Sequence, residues 1–371
     1  MTRASRITIV IGAAIYFAMQ VVAIAIVMIR HPDKLSIYDS FREAGRFLDY
    51  AYHPAVPIST GLPEINLNPP TLFPLFQLFA QIDTLVGKFA WLAISVASYL
   101  ACVWALRRSP TLQVAWLFIC PLAVFVFVIG QIYFVLFILA TGLALFLRRG
   151  RSDWAAVLLG ILVAIKPNFA TCAAMFFVAG YRREAVIAGA VAAVAFLVPV
   201  LLYGADIYRL WFEAMATDSH YLFTNNTTIP AVMRRFGVGG ANLVVVGGAI
   251  LSLAWAYRRR PDAYDLMPVA LTASILFSPL AWLEYLLVVV PFFVDRPWRR
   301  PGYVAAILIW AIPTIRQTSV DLDLPVIPIN SATSLLAVLI LFAIFLSRAG
   351  GRRPAADDTD RMVKEPTALA A

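Results

Sequence analysis

Asp39, Arg42, Glu43 and Arg46 stand three or four residues apart where charged and apolar residues alternate. A helix there puts all four on one face. Either they are the solvated or paired face of an amphipathic helix at a membrane surface, or one carboxylate takes a proton from a hydroxyl as a general base. Asp49 is a second carboxylate in the same stretch. Lys166, before Pro167-Asn168, ends an apolar run, where a charge is costly. It could snorkel to lipid phosphate or hold a phosphate at a site. Arg234-Arg235 follow a polar stretch containing Asn225. Guanidinium forks bind phosphate bidentately, and they also touch lipid headgroups. Glu284 follows Ser278-Pro279-Leu280-Ala281-Trp282 and precedes Tyr285. The two aromatics fit an interfacial belt, but an acid at the edge of hydrocarbon is a functional candidate unless a basic residue pairs with it. Gly130-Gln131 marks a tight turn between apolar runs.

These residue types suit displacement of a phosphate. Phosphate is a good leaving group, so cations to hold its developing charge and a base for the attacking hydroxyl suffice. The reading calls for no cofactor and no metal. Cys102, Cys120 and Cys172 lie inside apolar runs, and His31, His53 and His220 are scattered. The sequence contains no phosphate-binding glycine loop, dinucleotide fingerprint or nucleophile elbow.

The elements that must position these residues are hydrophobic. Of 371 residues, 61% are hydrophobic and 14% charged, and the mean hydropathy is +0.81. A soluble chain has about 25% charged residues, so this is an all-α polytopic membrane protein. Apolar runs cover roughly 7–29, 89–106, 112–128, 131–147, 153–166, 169–181, 184–203, 241–257, 264–279, 282–295, 302–316 and 332–347. The first is too long for a signal peptide. The stretch 70–83 is short, and if it does not cross, twelve spans result with both termini in the cytoplasm. On that topology 20 of the 30 basic residues and 9 of the 21 acidic ones fall on one face, which the positive-inside rule makes cytoplasmic. The net charge of +9 is then a topology signal and needs no nucleic acid. The outer segments are 30–88, 129–131, 166–169, 204–240, 278–284 and 317–331, and they collect the candidate residues. Residues 1–348 read as one transmembrane domain, and 349–371 as a polar, disordered cytoplasmic tail.

Asp39 after the first span, Asn68-Pro69-Pro70, Gly130-Gln131, Lys166-Pro167, Asn225 with Arg234-Arg235, and Ser278-Pro279-Leu280-Ala281-Trp282, in this order, resemble the family 87 glycosyltransferases of the GT-C class. The resemblance runs over roughly residues 8–300. It implies a GT-C-like bundle with loop helices on the outer face, in the inner or plasma membrane. It implies transfer of one hexose, often mannose, from a polyprenyl-phosphate donor to a glycolipid or glycan acceptor at the periplasmic or outer face, with inversion. The family's base maps onto Asp39, with Asp49 as fallback. Lys166, Arg234 and Arg235 would hold the donor phosphate, and Gln131, Asn225, Trp282, Glu284 and Tyr285 would line the pocket. The chain departs from the family at Glu284, where histidine is common. The alternatives are a lipid-linked sugar flippase or transporter, which keeps polar residues near the midplane, and a polysaccharide ligase.

Overall fold

The computed structural model describes residues 3–30, 52, 67–109, 111, 123, 126–127, 130–217, 226–309 and 326–349. Among these the chain is helical, and its only β-type pairing is an isolated antiparallel bridge between Asn226 and Trp282. The helices are α1 (Arg3–Arg30), α2 (Phe73–Ala80), α3 (Thr84–Ala105), α4 (Tyr133–Arg148), α5 (Ser152–Ile165), α6 (Ala170–Ala179), α7 (Arg182–Tyr203), α8 (Asp206–Thr217), α9 (Ile229–Arg235), α10 (Ala241–Arg259), α11 (Ala263–Leu276), α12 (Arg300–Ile309) and α13 (Val326–Arg348). Three of them, α3, α7 and α10, are each long and apolar enough to cross a membrane.

Two segments depart from regular spans. The stretch 70–83 begins as a 3-10 turn at Pro70–Leu72 and continues as the eight-residue α2. Eight residues rise about 12 Å, well short of a hydrocarbon core of about 30 Å. The apolar run 282–295 is a 3-10 segment, Leu283–Val288, followed by one helical turn, Val290–Phe293. Leu283–Val288 and Val290–Phe293 are buried throughout, so protein rather than lipid surrounds this irregular backbone.

The centre is built from α4, α5, α6, α7 and α11. The α5–α7 contact is the tightest. A Cβ on Gly160 of α5 would lie 2.6 Å from the Ala188 carbonyl oxygen and 2.7 Å from Val191 Cβ on α7. Small residues let apolar helices approach where no hydrophobic drive separates protein from lipid. Ala156, Ala185 and Ala192 extend the buried small-residue seam. At Gly248 of α10 the missing side chain makes room for the Phe277 ring, 2.2 Å from where a Cβ would sit.

One end of the bundle is pinned by ion pairs. Arg148, closing α4, meets Asp295 at 2.6 Å, and Tyr264 donates to the other oxygen of Asp295 at 2.6 Å. Arg296 pairs with Asp265 at 2.5 Å and Arg183 with Asp153 at 2.8 Å. Tyr181 donates to the Pro261 carbonyl, and Arg348 lies within electrostatic reach of Asp265 and Asp295. Basic positions far apart in sequence therefore share one end. Because α4 and α5 run antiparallel, Tyr133 and Lys166 lie at the opposite end.

Candidate functional site

Lys166 sits where α5 stops. Pro167 begins a 3-10 turn, and Lys166 itself is extended, at φ −140° and ψ 93°. Proline disfavours the α conformation in the residue before it, which breaks the run here and turns the lysine inward. The side chain is 7% exposed. Its Nζ donates to Asn68 Oδ1 at 2.7 Å. The ammonium lies 5.6 Å from the Tyr133 ring centroid and 5.5 Å from that of Tyr285. The buried Glu284 carboxylate also acts on it electrostatically.

Each partner offsets part of the cost of burying a charge, which is several kcal/mol for an ion taken out of water. A hydrogen bond to a charged group is worth about 1.5–3 kcal/mol, and a desolvated cation–π contact about 2 kcal/mol. Tyr133 opens α4, and Glu284 and Tyr285 lie in the first turn of the 283–288 segment. The Tyr133 and Tyr285 rings are 5.2 Å apart, and Phe169 lies 5.7 Å from Tyr285.

Asn68 is held as firmly as the lysine. Tyr52 donates to its carbonyl at 2.8 Å and stacks on Phe73. Trp211 of α8 donates to the Leu67 carbonyl, and Thr71 donates to the Ala164 carbonyl at 2.6 Å. The segment before α2 is thus tied to α5 and α8. Pro69 and Pro70 lead into the 3-10 turn before α2, and Asn68 orients the lysine.

A second assembly adjoins the first through the 278–282 loop. Thr227 N–H donates to the Ala281 carbonyl at 2.9 Å. Asn226 Nδ2 donates to the Pro279 carbonyl, and Asn226 Oδ1 accepts from Ala281 N–H, both at 3.3 Å. Ser278 Oγ donates to the Leu280 carbonyl at 2.8 Å. Thr228 caps α9 through Ala231 N–H. Arg235, ending α9, donates to the Asn226 carbonyl at 2.5 Å. Burial lowers its guanidinium to about 10, so it stays charged at neutral pH. Arg234 donates to Asn242 at 2.6 Å.

The expected residues therefore divide. Lys166, Glu284 and Tyr285 converge. Trp282 is joined to them through the strap formed with Asn226. Gln131 is half-buried at the turn leading into Tyr133, where Gly130 has a φ of +71° and its carbonyl accepts from Trp91 Nε1 at 2.9 Å. Arg234 and Arg235 engage Asn242 and the Asn226 carbonyl. Asp39, Asp49 and Asn225 lie outside the described residues. The sequence reading missed Asn68 and Tyr133 as partners of Lys166. Tyr133 stands two residues after the singled-out Gly130-Gln131, and that proximity was the available signal.

A buried ammonium, a carboxylate and aromatic rings are thus gathered at one end of an apolar helical bundle. Residues 66–281 match the sequence profile of glycosyltransferase family 87, more than half of the chain, and the chain belongs to that family. Asp39 precedes the matched region, and Trp282, Glu284 and Tyr285 follow it. Comparison with curated proteins and with solved structures finds no match.

Proposed function

We propose that this glycosyltransferase moves a single hexose, mannose in the first instance, from a polyprenyl-phosphate donor to a glycolipid or glycan acceptor, with inversion. The observation that carries the reading is the buried Lys166, oriented by Asn68 between Tyr133 and Tyr285. An ammonium held in an apolar site suits the charge that develops on a departing phosphate. A lipid-borne donor suits an apolar bundle, because its tail enters between helices while its head reaches Lys166.

In this reading Asp39, with Asp49 as fallback, takes the acceptor hydroxyl's proton as the oxygen attacks the anomeric carbon. The bond to the phosphate oxygen breaks on the opposite side, and the lipid phosphate leaves against Lys166. Arg234 and Arg235 hold the phosphate from the α9 side. Gln131, Asn225, Trp282 and Tyr285 shape the sugar pocket. Glu284 sets the charge balance around Lys166 where relatives commonly carry histidine. No metal ion or other cofactor is required, because the cations are supplied by side chains.

The Lys166 end is proposed to face the periplasm or outer surface, and the arginine-rich end the cytoplasm, with about twelve spans in residues 1–348 and both termini inside. The enrichment of Arg at the opposite end supports this orientation.

The test is transfer of radiolabel from a polyprenyl-phosphate hexose to a lipid extract from the source cells by purified protein. Labelled product from wild type and none from Asp39→Asn supports the reading. Equal product from both moves the base elsewhere. With an acceptor shown to be present, absence of transfer from every carrier-linked hexose overturns the donor assignment.

A further inference from the structure

Tyr133, the first residue of α4, is wholly buried, and its hydroxyl makes no hydrogen bond. Buried tyrosine hydroxyls usually find a partner, and leaving such a donor unpaired commonly costs more than an ordinary hydrogen bond contributes. Packing does not call for the hydroxyl, because a phenylalanine ring would meet Tyr285 equally well. The position of the ring is firmly set. Trp91 donates to the Gly130 carbonyl and Gln131 N–H to the Val126 carbonyl, which fixes the turn into α4. Tyr133 therefore presents a placed donor that lacks an acceptor.

Its surroundings indicate which acceptor would suit it. The Lys166 ammonium lies over the Tyr133 ring at 5.6 Å and over the Tyr285 ring at 5.5 Å, and the two rings are 5.2 Å apart. An ammonium has three donors. One goes to Asn68 Oδ1, the only hydrogen bond of Nζ among the described residues. The Tyr285 and Glu284 side chains act on the Tyr133 hydroxyl electrostatically, yet neither accepts a hydrogen bond from it. Uncommitted N–H donors and an uncommitted O–H donor thus belong to one cluster. Glu284 already offsets the charge of Lys166, so a further anion depends on donors that remain available. The ammonium stands over the ring and not at its hydroxyl, so a ligand that engages both must carry more than one acceptor oxygen. A phosphate does.

We propose that Tyr133 is a phosphate-binding residue of the donor site, its hydroxyl donating to one non-bridging oxygen while the Lys166 ammonium holds another. A neutral donor fits this place. It gains strength as the departing phosphate gains charge, and it forms no lasting ion pair with Glu284 when the site is empty. The proposal rests on the polyprenyl-phosphate reading above and adds a residue that the reading does not use.

The test is equilibrium binding of a sugar-free polyprenyl monophosphate to the full-length protein in nanodiscs, for wild type and Tyr133→Phe, with polyprenol and phosphatidic acid as comparison ligands. Tyr133→Phe should lose about tenfold in affinity for the polyprenyl monophosphate, as for one hydrogen bond to a charged group. Its binding of polyprenol should be unchanged, and its unliganded thermal midpoint should be at or above that of wild type. Unchanged affinity for the polyprenyl monophosphate overturns the role of Tyr133 and leaves the donor reading standing. A lowered midpoint, or failure to fold, means that the hydroxyl bonds within the fold, and it overturns the proposal. Equal affinity and equal loss for phosphatidic acid make this a site for lipid phosphomonoesters at large and overturn its assignment to the donor. A second readout needs no loss of the hydroxyl: with 3-fluorotyrosine in place of Tyr133, the fluorine resonance should shift on addition of polyprenyl monophosphate but not of polyprenol. A resonance indifferent to both overturns the proposal. Absence of polyprenyl monophosphate binding by wild type sinks the donor reading, and the Tyr133 proposal with it.

Discussion

Lys166 and Asn68 are 98 positions apart in the chain and 2.7 Å apart in space, an ammonium donating to a buried amide oxygen. The pair joins the break after α5 to the segment before α2. It determines where the buried Lys166 ammonium points.

Asn68→Leu should therefore impair the transferase more than it impairs the fold. A hydrogen bond to a charged group is worth about 1.5–3 kcal/mol, so a fall of roughly 10- to 100-fold in kcat/KM for donor is expected. Asn68→Asp keeps an acceptor and should retain more activity than Asn68→Leu. Steady-state kinetics on protein of matched monodispersity checks both.

Arg235, besides its proposed place at the phosphate, is expected to brace the loop through its bond to the Asn226 carbonyl. Arg235→Met should loosen the strap between 226–228 and 279–282, raising proteolysis there and lowering the thermal midpoint. Lysine should rescue only partly, because it lacks the planar fork. Because burial lowers the folded-state value from 12.5 to about 10, the folded protein releases this proton before the unfolded chain does, so the linked stability is flat near neutrality and rises as pH climbs through about 10. A limited-proteolysis time course and a pH–stability profile test this.

Gly160→Val should destabilise by about 1–3 kcal/mol or more, because the added carbon meets the backbone carbonyl of Ala188, which cannot rotate away. Gly189→Ala on α7 is the control, since a Cβ there meets nothing within 4 Å. Thermal unfolding in detergent should separate the two.

At the opposite end, Asp295→Asn removes the partner of Arg148 and weakens the acceptor of Tyr264. Arg148 is 44% exposed, so water screens much of the pair and a loss of about 1–2 kcal/mol is expected. A double-mutant cycle with Arg148→Met should show coupling, with catalysis in folded protein unchanged.

The membrane class, the breaks at Pro167 and Pro279, and the gathering of basic positions at one end were all legible in the sequence. These follow from local chemistry: apolar run length, the restriction proline places on its predecessor, and the cost of carrying charge across hydrocarbon. Lys166 and Glu284 stood out for the same reason, as charges at the edges of apolar runs. Their partners did not. Asn68 looks like an ordinary residue before two prolines, and Tyr133 like one aromatic among many. Only the packing of α5, the segment before α2 and the 283–288 segment around α4 decides that Asn68, Tyr133 and Tyr285 surround Lys166. The close approaches at Gly160 and Gly248 are likewise decided by tertiary structure, because a single missing side chain leaves room there and no local pattern encodes which distant surface fills that space.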